Sequence, residues 1–235
     1  MIDNFDIIKN FIENNVTMEY GDFLFVQILK RRKENPELKK DVNLIDTFFF
    51  IDIRDFDDYK EQIVNLCHEH NARAYIRLNK RNADKISLQA LKISTDELIS
   101  SIHEKYEEPL KVYCEKNYIN MDNITDTTKK FLIIRMISDI LVDGDWFDSS
   151  VRYQFLSAAG QFASDPVKKW IIDVDDNLIL DEVKSYLETI TKVLMVIPTK
   201  NGIHIITTGF NPNLFINKFP NVEIKKDSPT VLYSI

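Results

Sequence analysis

Cysteine and glycine are scarce, with 2 and 5 copies in 235 residues. Two cysteines, Cys67 and Cys114, exclude a disulfide framework and fit a reducing cytoplasm, with one Cys67–Cys114 pairing left open. No helicase-type P-loop and no zinc-finger spacing occurs. No run reaches the roughly 18 apolar residues of a membrane span. The start, Met1-Ile-Asp-Asn-Phe-Asp6, lacks the basic residues and apolar stretch of a signal peptide, so a cytoplasmic protein without membrane contact is expected. No internal repeat is visible, which excludes a solenoid. Basic surplus is also missing: the formal net charge is −7 and the pI about 5.2. Such a chain does not coat nucleic acid by bulk charge. A local basic groove beside an acidic metal site remains compatible with it.

What is present is an ordinary globular composition, 44% hydrophobic and 29% charged, long enough for one large domain or two small ones. Phe5, Ile8, Phe11 and Ile12 lie on one helical face between Asp3 and Asn14. Phe23–Leu29 reads as a strand, followed by the basic turn Lys30–Pro36. Thr47–Ile53 is almost continuously apolar and predicts a strand buried on both faces. Asp55–His70 predicts a helix with an acidic first turn, and Ala72–Leu78 a further strand. Ile86–Tyr106, Thr127–Leu141 and Ser149–Phe162 read as helical. From Lys168 the pattern is tighter. Strands are expected at Trp170–Asp175, Val193–Ile197, Ile203–Thr208, Val222–Lys226 and Val231–Ser234. Helices are expected at Leu180–Thr191 and Asn211–Phe219.

The order from Trp170 is β-α-β-β-α-β plus a terminal strand, a ferredoxin-like, RRM-like arrangement. About 65 residues suffice for it, and so small a module needs a neighbour to bury a core. The expected fold is therefore α/β (α+β): an N-terminal α/β module, residues 1–165, packed on an RRM-like core, residues 166–235, as one compact unit.

Chemistry concentrates in that last third. In Ile172-Asp173-Val174-Asp175, period 2 puts both carboxylates on one strand face. Two hard oxygen ligands suit Mg²⁺ or Mn²⁺ that also binds phosphates. Thr199-Lys200-Asn201-Gly202-Ile203-His204 then offers close backbone approach at Gly202 and a phosphate-facing imidazole at His204. The pattern points to nucleotidyl transfer. Blander readings compete with it: a solvated strand end for Asp173 and Asp175, and a cross-strand hydrogen bond for His204.

Arg73, Tyr75 and Arg77 share a strand face, and Lys80 and Arg81 extend the basic run. Arginines on phosphates and an aromatic under a base would make a template groove, and a solvated strand edge fits equally. Cys67-His68-Glu69-His70 holds metal-capable types without a second cluster to complete a zinc site. Asp52, Asp55, Asp57 and Asp58 fit a helix start.

Ile172-Asp173-Val174-Asp175 and Thr199–His204, in this order, resemble motifs of the archaeo-eukaryotic primase superfamily. That family includes primase-polymerases and the polymerase domains of bacterial end-joining ligases. The chain also resembles small phage proteins carrying these motifs. The family has a third, late acidic motif, best matched by Asp227 in Ile224-Lys-Lys-Asp227-Ser-Pro-Thr230. A turn aspartate before Pro229 is the alternative there. The resemblance implies that Asp173, Asp175 and Asp227 are catalytic and hold Mg²⁺ or Mn²⁺. It implies nucleotide-phosphate contacts from Thr199, Lys200, Gly202 and His204. It also implies nucleoside triphosphates as substrates, a single-stranded template and a separately encoded helicase as partner. A non-catalytic RRM-like nucleic-acid binder, a degenerate primase-fold interaction protein and a metal-dependent nuclease are the rival expectations.

Overall fold

The computed structural model describes residues 1–90, 92–93, 111, 114–117, 119–120, 125, 132 and 154–235. The protein is α+β, with two antiparallel sheets among the described residues. It divides into two compact units: Met1–Ala83 with Ala163–Ile235, and Asp84–Phe162. The unit boundaries thus fall at 83/84 and 162/163, and segments from both sides of residue 165 build one unit. In the other unit, residues 84–90 and 154–161 are helical. Most of the expected helices Ile86–Tyr106 and Thr127–Leu141 lie outside the described residues, as does Asp143-Gly-Asp145-Trp-Phe-Asp148, an acidic sequence whose spacing breaks the calcium-loop pattern. Among the described residues no helix is long and apolar enough to cross a membrane.

The first unit begins with β1 (Ile2–Asp3), α1 (Phe5–Asn15), β2 (Asp22–Arg31), β3 (Val42–Phe50), α2 (Asp55–His70), β4 (Arg73–Ile76) and β5 (Arg81–Asn82). It resumes with β6 (Lys169–Val174), a 3₁₀ turn (Asn177–Ile179), α3 (Leu180–Ile190), β7 (Val193–Pro198), β8 (Ile203–Thr208), α4 (Pro212–Lys218), β9 (Glu223–Lys226) and β10 (Thr230–Ser234). One sheet has the order β1-β10-β4-β2-β3 with β5 on β2, and the other has β7-β8-β6-β9. The terminal strand β10 therefore leaves its sequence neighbours and pairs with β4, through Thr230↔Ile76 and Ser234↔Arg73.

Local chemistry accounts for the elements. The α2 helix starts with Asp55, Asp57 and Asp58 in its first turn, where the helix dipole favours anions. It stops at Asn71, which adopts the left-handed conformation (φ 47°) that ends helices and that Asn tolerates. The α4 helix has Pro at its start, and the Asn211 side chain accepts a hydrogen bond from the Asn213 N–H. Strand β3 departs from expectation. It lies at the sheet edge, where Phe48 and Phe50 point inward while Phe49 is 41% exposed. Ile51, just past its end, is 72% exposed. An edge strand needs only one apolar face, so the run alternates in burial instead of being covered on both sides.

Two cores result. Phe5, Ile8, Phe11 and Ile12 of α1 meet Val26, Ile28, Phe50, Ile63 and Leu232 in the larger one. Val183 and Leu187 of α3 and Phe215 of α4 cover Ile172, Val174 and Ile205 in the smaller. Each such fully buried side chain contributes about 1.5–3 kcal/mol. Ile171, Ile197 and Ile206, on the opposite face of the second sheet, belong to the larger core. Alternation therefore turns Asp173 and His204 away from α3 and α4, and this sets the position of the site.

Candidate functional site

The register of the second sheet aligns one row of residues across its strands. Ile197 on β7 faces His204 on β8, His204 faces Asp173 on β6, and Asp173 faces Glu223 on β9. His204 is 9% exposed. Its Nδ1 is 2.8 Å from Thr230 Oγ1, and its Nε2 is 3.4 Å from Asp173 Oδ1. Asp173 Oδ2 accepts from Lys225 Nζ at 2.5 Å. His204 and then Lys225 hold the Asp173 carboxyl down at about 2 against the opposing effect of burial, so it is ionised at any ordinary pH. Burial pushes the Lys225 ammonium down, but Asp173 and Glu223 outweigh it and raise the pKa.

These groups open into a cleft of about 400 Å³ lined from both sheets. Asp173, Asp175, Thr199, Lys200 and His204 come from the second sheet and its β7–β8 turn, and Arg31, Lys33, Glu34, Arg73 and Tyr75 from the first sheet and the turn after β2. Asp175 is exposed and sits one residue past the end of β6. Arg31 donates to the Tyr75 hydroxyl at 3.0 Å, and Arg73 pairs with Glu34 at 2.5 Å. Both first-sheet side chains are thereby held in place. Five Lys/Arg side chains line the cleft against three Asp/Glu. An acidic chain thus gathers a cationic excess in one concavity, and such a field favours an anionic ligand.

Seven of the sequence-selected residues meet here: Asp173, Asp175, Thr199, Lys200, His204, Arg73 and Tyr75. Others are elsewhere. Asp227 is not among the lining residues. Its carboxylate accepts from Arg81 at 2.8 and 3.1 Å and from Asn79 Nδ2 at 2.8 Å. Arg81 is 0% exposed, so it is a buried counter-charge to Asp227 instead of a template contact. Lys80 pairs with Asp22 and donates to the Thr17 carbonyl. Arg77 donates to the Asp227 carbonyl. The basic run is divided because β4 ends at Ile76 and the chain then turns inward.

Gly202 acts at a different contact from the expected one. A Cβ there would lie 2.1 Å from the Val174 carbonyl oxygen and 2.7 Å from Asp175 Cα. The residue lets the β7–β8 turn close over the end of β6, beside the carboxylates. Thr199 completes the turn by accepting from the Gly202 N–H at 3.1 Å. Gly202→Ala is expected to push the turn off β6 and cost about 1–3 kcal/mol, as overpacking does. Thermal melting checks this, and an unchanged Tm would contradict it.

Lys225 escaped the sequence reading as a site residue, whereas Arg31 and Lys33 belong to the basic stretch Lys30–Lys33, which reads as an addition to a groove or as a charged surface turn; both line the cleft. Lys225 had one signal, the alternation Glu223/Lys225 that puts both on one face of β9, but nothing local says that β9 lies beside β6. Among the described residues no group of three or more His, Cys, Asp and Glu is placed to hold a metal ion. His68 of the Cys67–His70 run contacts the Tyr233 hydroxyl at 2.8 Å. Burial pushes the Cys67 thiol up to about 11.

Compared with protein-family models, with curated proteins and with solved structures, the chain matches none.

Proposed function

We propose that the cleft binds a nucleoside triphosphate and that the protein is a metal-dependent nucleotidyltransferase of the primase-polymerase type, acting on a single-stranded template. One observation carries this reading: Asp173, Asp175 and His204 share a cleft with a cationic excess drawn from the first sheet and the turn after β2. The strand order β7-β8-β6-β9, all antiparallel, supports the RRM-like reading of the core.

The donor set fits one Mg²⁺ or Mn²⁺. Such an ion takes one or two carboxylates plus substrate phosphates, and Asp173 and Asp175 supply those. Asp227, committed to Arg81, does not complete a triad. Bound there, the ion would polarise the reacting phosphate and lower the pKa of the attacking hydroxyl. The protein's own side chains do the rest. Asp173 stays ionised. His204, fixed between Thr230 and Asp173, orients that carboxylate instead of reaching for phosphate. Lys200 and Lys33 attract the polyphosphate as mobile point charges. Tyr75, its hydroxyl held by Arg31, offers a ring on which a base stacks.

The test is nucleotide incorporation on single-stranded DNA, with and without primer, in Mg²⁺ or Mn²⁺. Product that depends on Asp173 is expected, and primer dependence separates extension from initiation. Folded protein that gives no product with either metal overturns the assignment. The isolation of Asp227 favours one second reading, a single-strand-binding cleft without turnover. Tight metal-independent binding in the same assay series would select it.

A further inference from the structure

The Lys225 ammonium sits between two carboxylates, 2.5 Å from Asp173 Oδ2 and 3.2 Å from Glu223 Oε2. It therefore occupies cation space at the carboxylate to which the proposed function assigns a metal. A metal–oxygen bond of about 2.1 Å at Asp173 would bring a divalent charge against this ammonium. Metal and ammonium then compete for the charge of one carboxylate, and their mutual repulsion weakens the Lys225 contact. The lysine is the movable partner, since its four-carbon stem is flexible and its side chain is 28% exposed and lines the cleft. Glu223 is a weak resting place because its side chain is 68% exposed and solvent screens the pair. A polyphosphate in the cleft is the stronger acceptor.

We infer that Lys225 is a positioning residue that couples metal to anion: it holds Asp173 until metal binds and then moves onto the ligand's phosphate. Metal and polyphosphate then bind together, and each alone binds weakly. Coupling of this kind is reciprocal, so an anion that takes Lys225 frees Asp173, and a metal on Asp173 frees Lys225 for the anion. The inference rests on the metal-dependent reading of the cleft.

The test measures two affinities in the full chain. One is for Mn²⁺ alone, by electron paramagnetic resonance of the free ion. The other is for inorganic tripolyphosphate in EDTA, by calorimetry. Lys225→Met is expected to tighten Mn²⁺ binding roughly 5- to 150-fold, the usual span of coupling, and to weaken tripolyphosphate binding. Opposite signs separate coupling from a structural defect, which would weaken both. Lys225→Gln should behave as Lys225→Met, giving a second variant if the first folds poorly, and Lys225→Arg should return both affinities toward wild type. Asp173→Asn in the Lys225→Met background should remove the gained Mn²⁺ affinity. Equal Mn²⁺ affinity in wild type and Lys225→Met, still dependent on Asp173, overturns the coupling and leaves the functional reading standing. No Asp173-dependent Mn²⁺ binding in any variant overturns the metal site and the coupling with it.

Discussion

Asp173→Asn is expected to lower nucleotide incorporation by about 10²–10⁴-fold while the protein still folds. The substitution keeps shape and removes the charge. Loss of a carboxylate that anchors a catalytic ion forfeits several kcal/mol of transition-state stabilisation, and each ~1.4 kcal/mol is a factor of ten in rate. The structural cost is smaller. Lys225 retains Glu223, and turning the charge-assisted contacts of Asp173, whose side chain is 16% exposed, into neutral ones costs about 1–2 kcal/mol. A melting curve within a few degrees of wild type, together with lost product, is the expected pair of results. Full activity in the variant would refute the role.

The same residue carries a pH signature. Its carboxyl is held at about 2 in the folded chain against about 3.9 unfolded. Because the folded value is the lower one, the stability it contributes is fully present above about pH 4 and is lost as pH falls toward 2. Wild type should therefore lose more stability than Asp173→Asn across that interval.

Asp227→Ala is expected to act on stability instead of chemistry. Arg81 is wholly buried and two of its nitrogens contact the Asp227 carboxylate. Asn79, which also holds the Lys169 backbone through its N–H and C=O, contacts the same carboxylate. Removing one partner of a buried ion pair typically costs about 3–5 kcal/mol. At about 2–4 °C per kcal/mol for a chain of this size, Tm should fall by roughly 6–20 °C. Asp227 also has φ 55°, the left-handed region that a short polar side chain tolerates better than Ala, which adds to the cost. Well below the lowered Tm, Asp227→Ala should retain Mn²⁺ binding, whereas Asp173→Asn should not. A variant as stable as wild type that has lost metal would restore Asp227 to the metal site.

Much of the site was legible because its parts are local. Asp173 and Asp175 share a face by strand alternation, and Gly202 marks a tight turn two residues before His204. The paired expectation for His204, phosphate contact or cross-strand contact, was divided by the register: Asp173 lies directly opposite on β6. Asp227 lies outside the cleft lining and faces Arg81 and Asn79, because motif order along the chain carries no information about which way a residue points at a left-handed turn. Arg77, Lys80 and Arg81 look like a surface-basic run, but their neighbours Asp22 and Asp227 are remote in sequence.

The sequence by itself determined most of the elements and their faces, with Thr47–Ile53 as the exception, since β3 is Val42–Phe50 and exposes one face. Asp55–His70 and Ile203–Thr208 are helix and strand with the limits that periodicity and acidic or turn residues dictate. Phe5, Ile8, Phe11 and Ile12 are buried as the helical stripe requires. These are properties of a few consecutive residues, fixed by backbone geometry and local capping. Only the tertiary structure decided that β10 joins β4, that β9 puts Lys225 against Asp173, and that Arg31, Arg73 and Tyr75 face the carboxylates across one cleft. The physical reason is that alternation specifies which side of a strand is apolar, whereas its partner and register follow from how distant apolar faces bury one another.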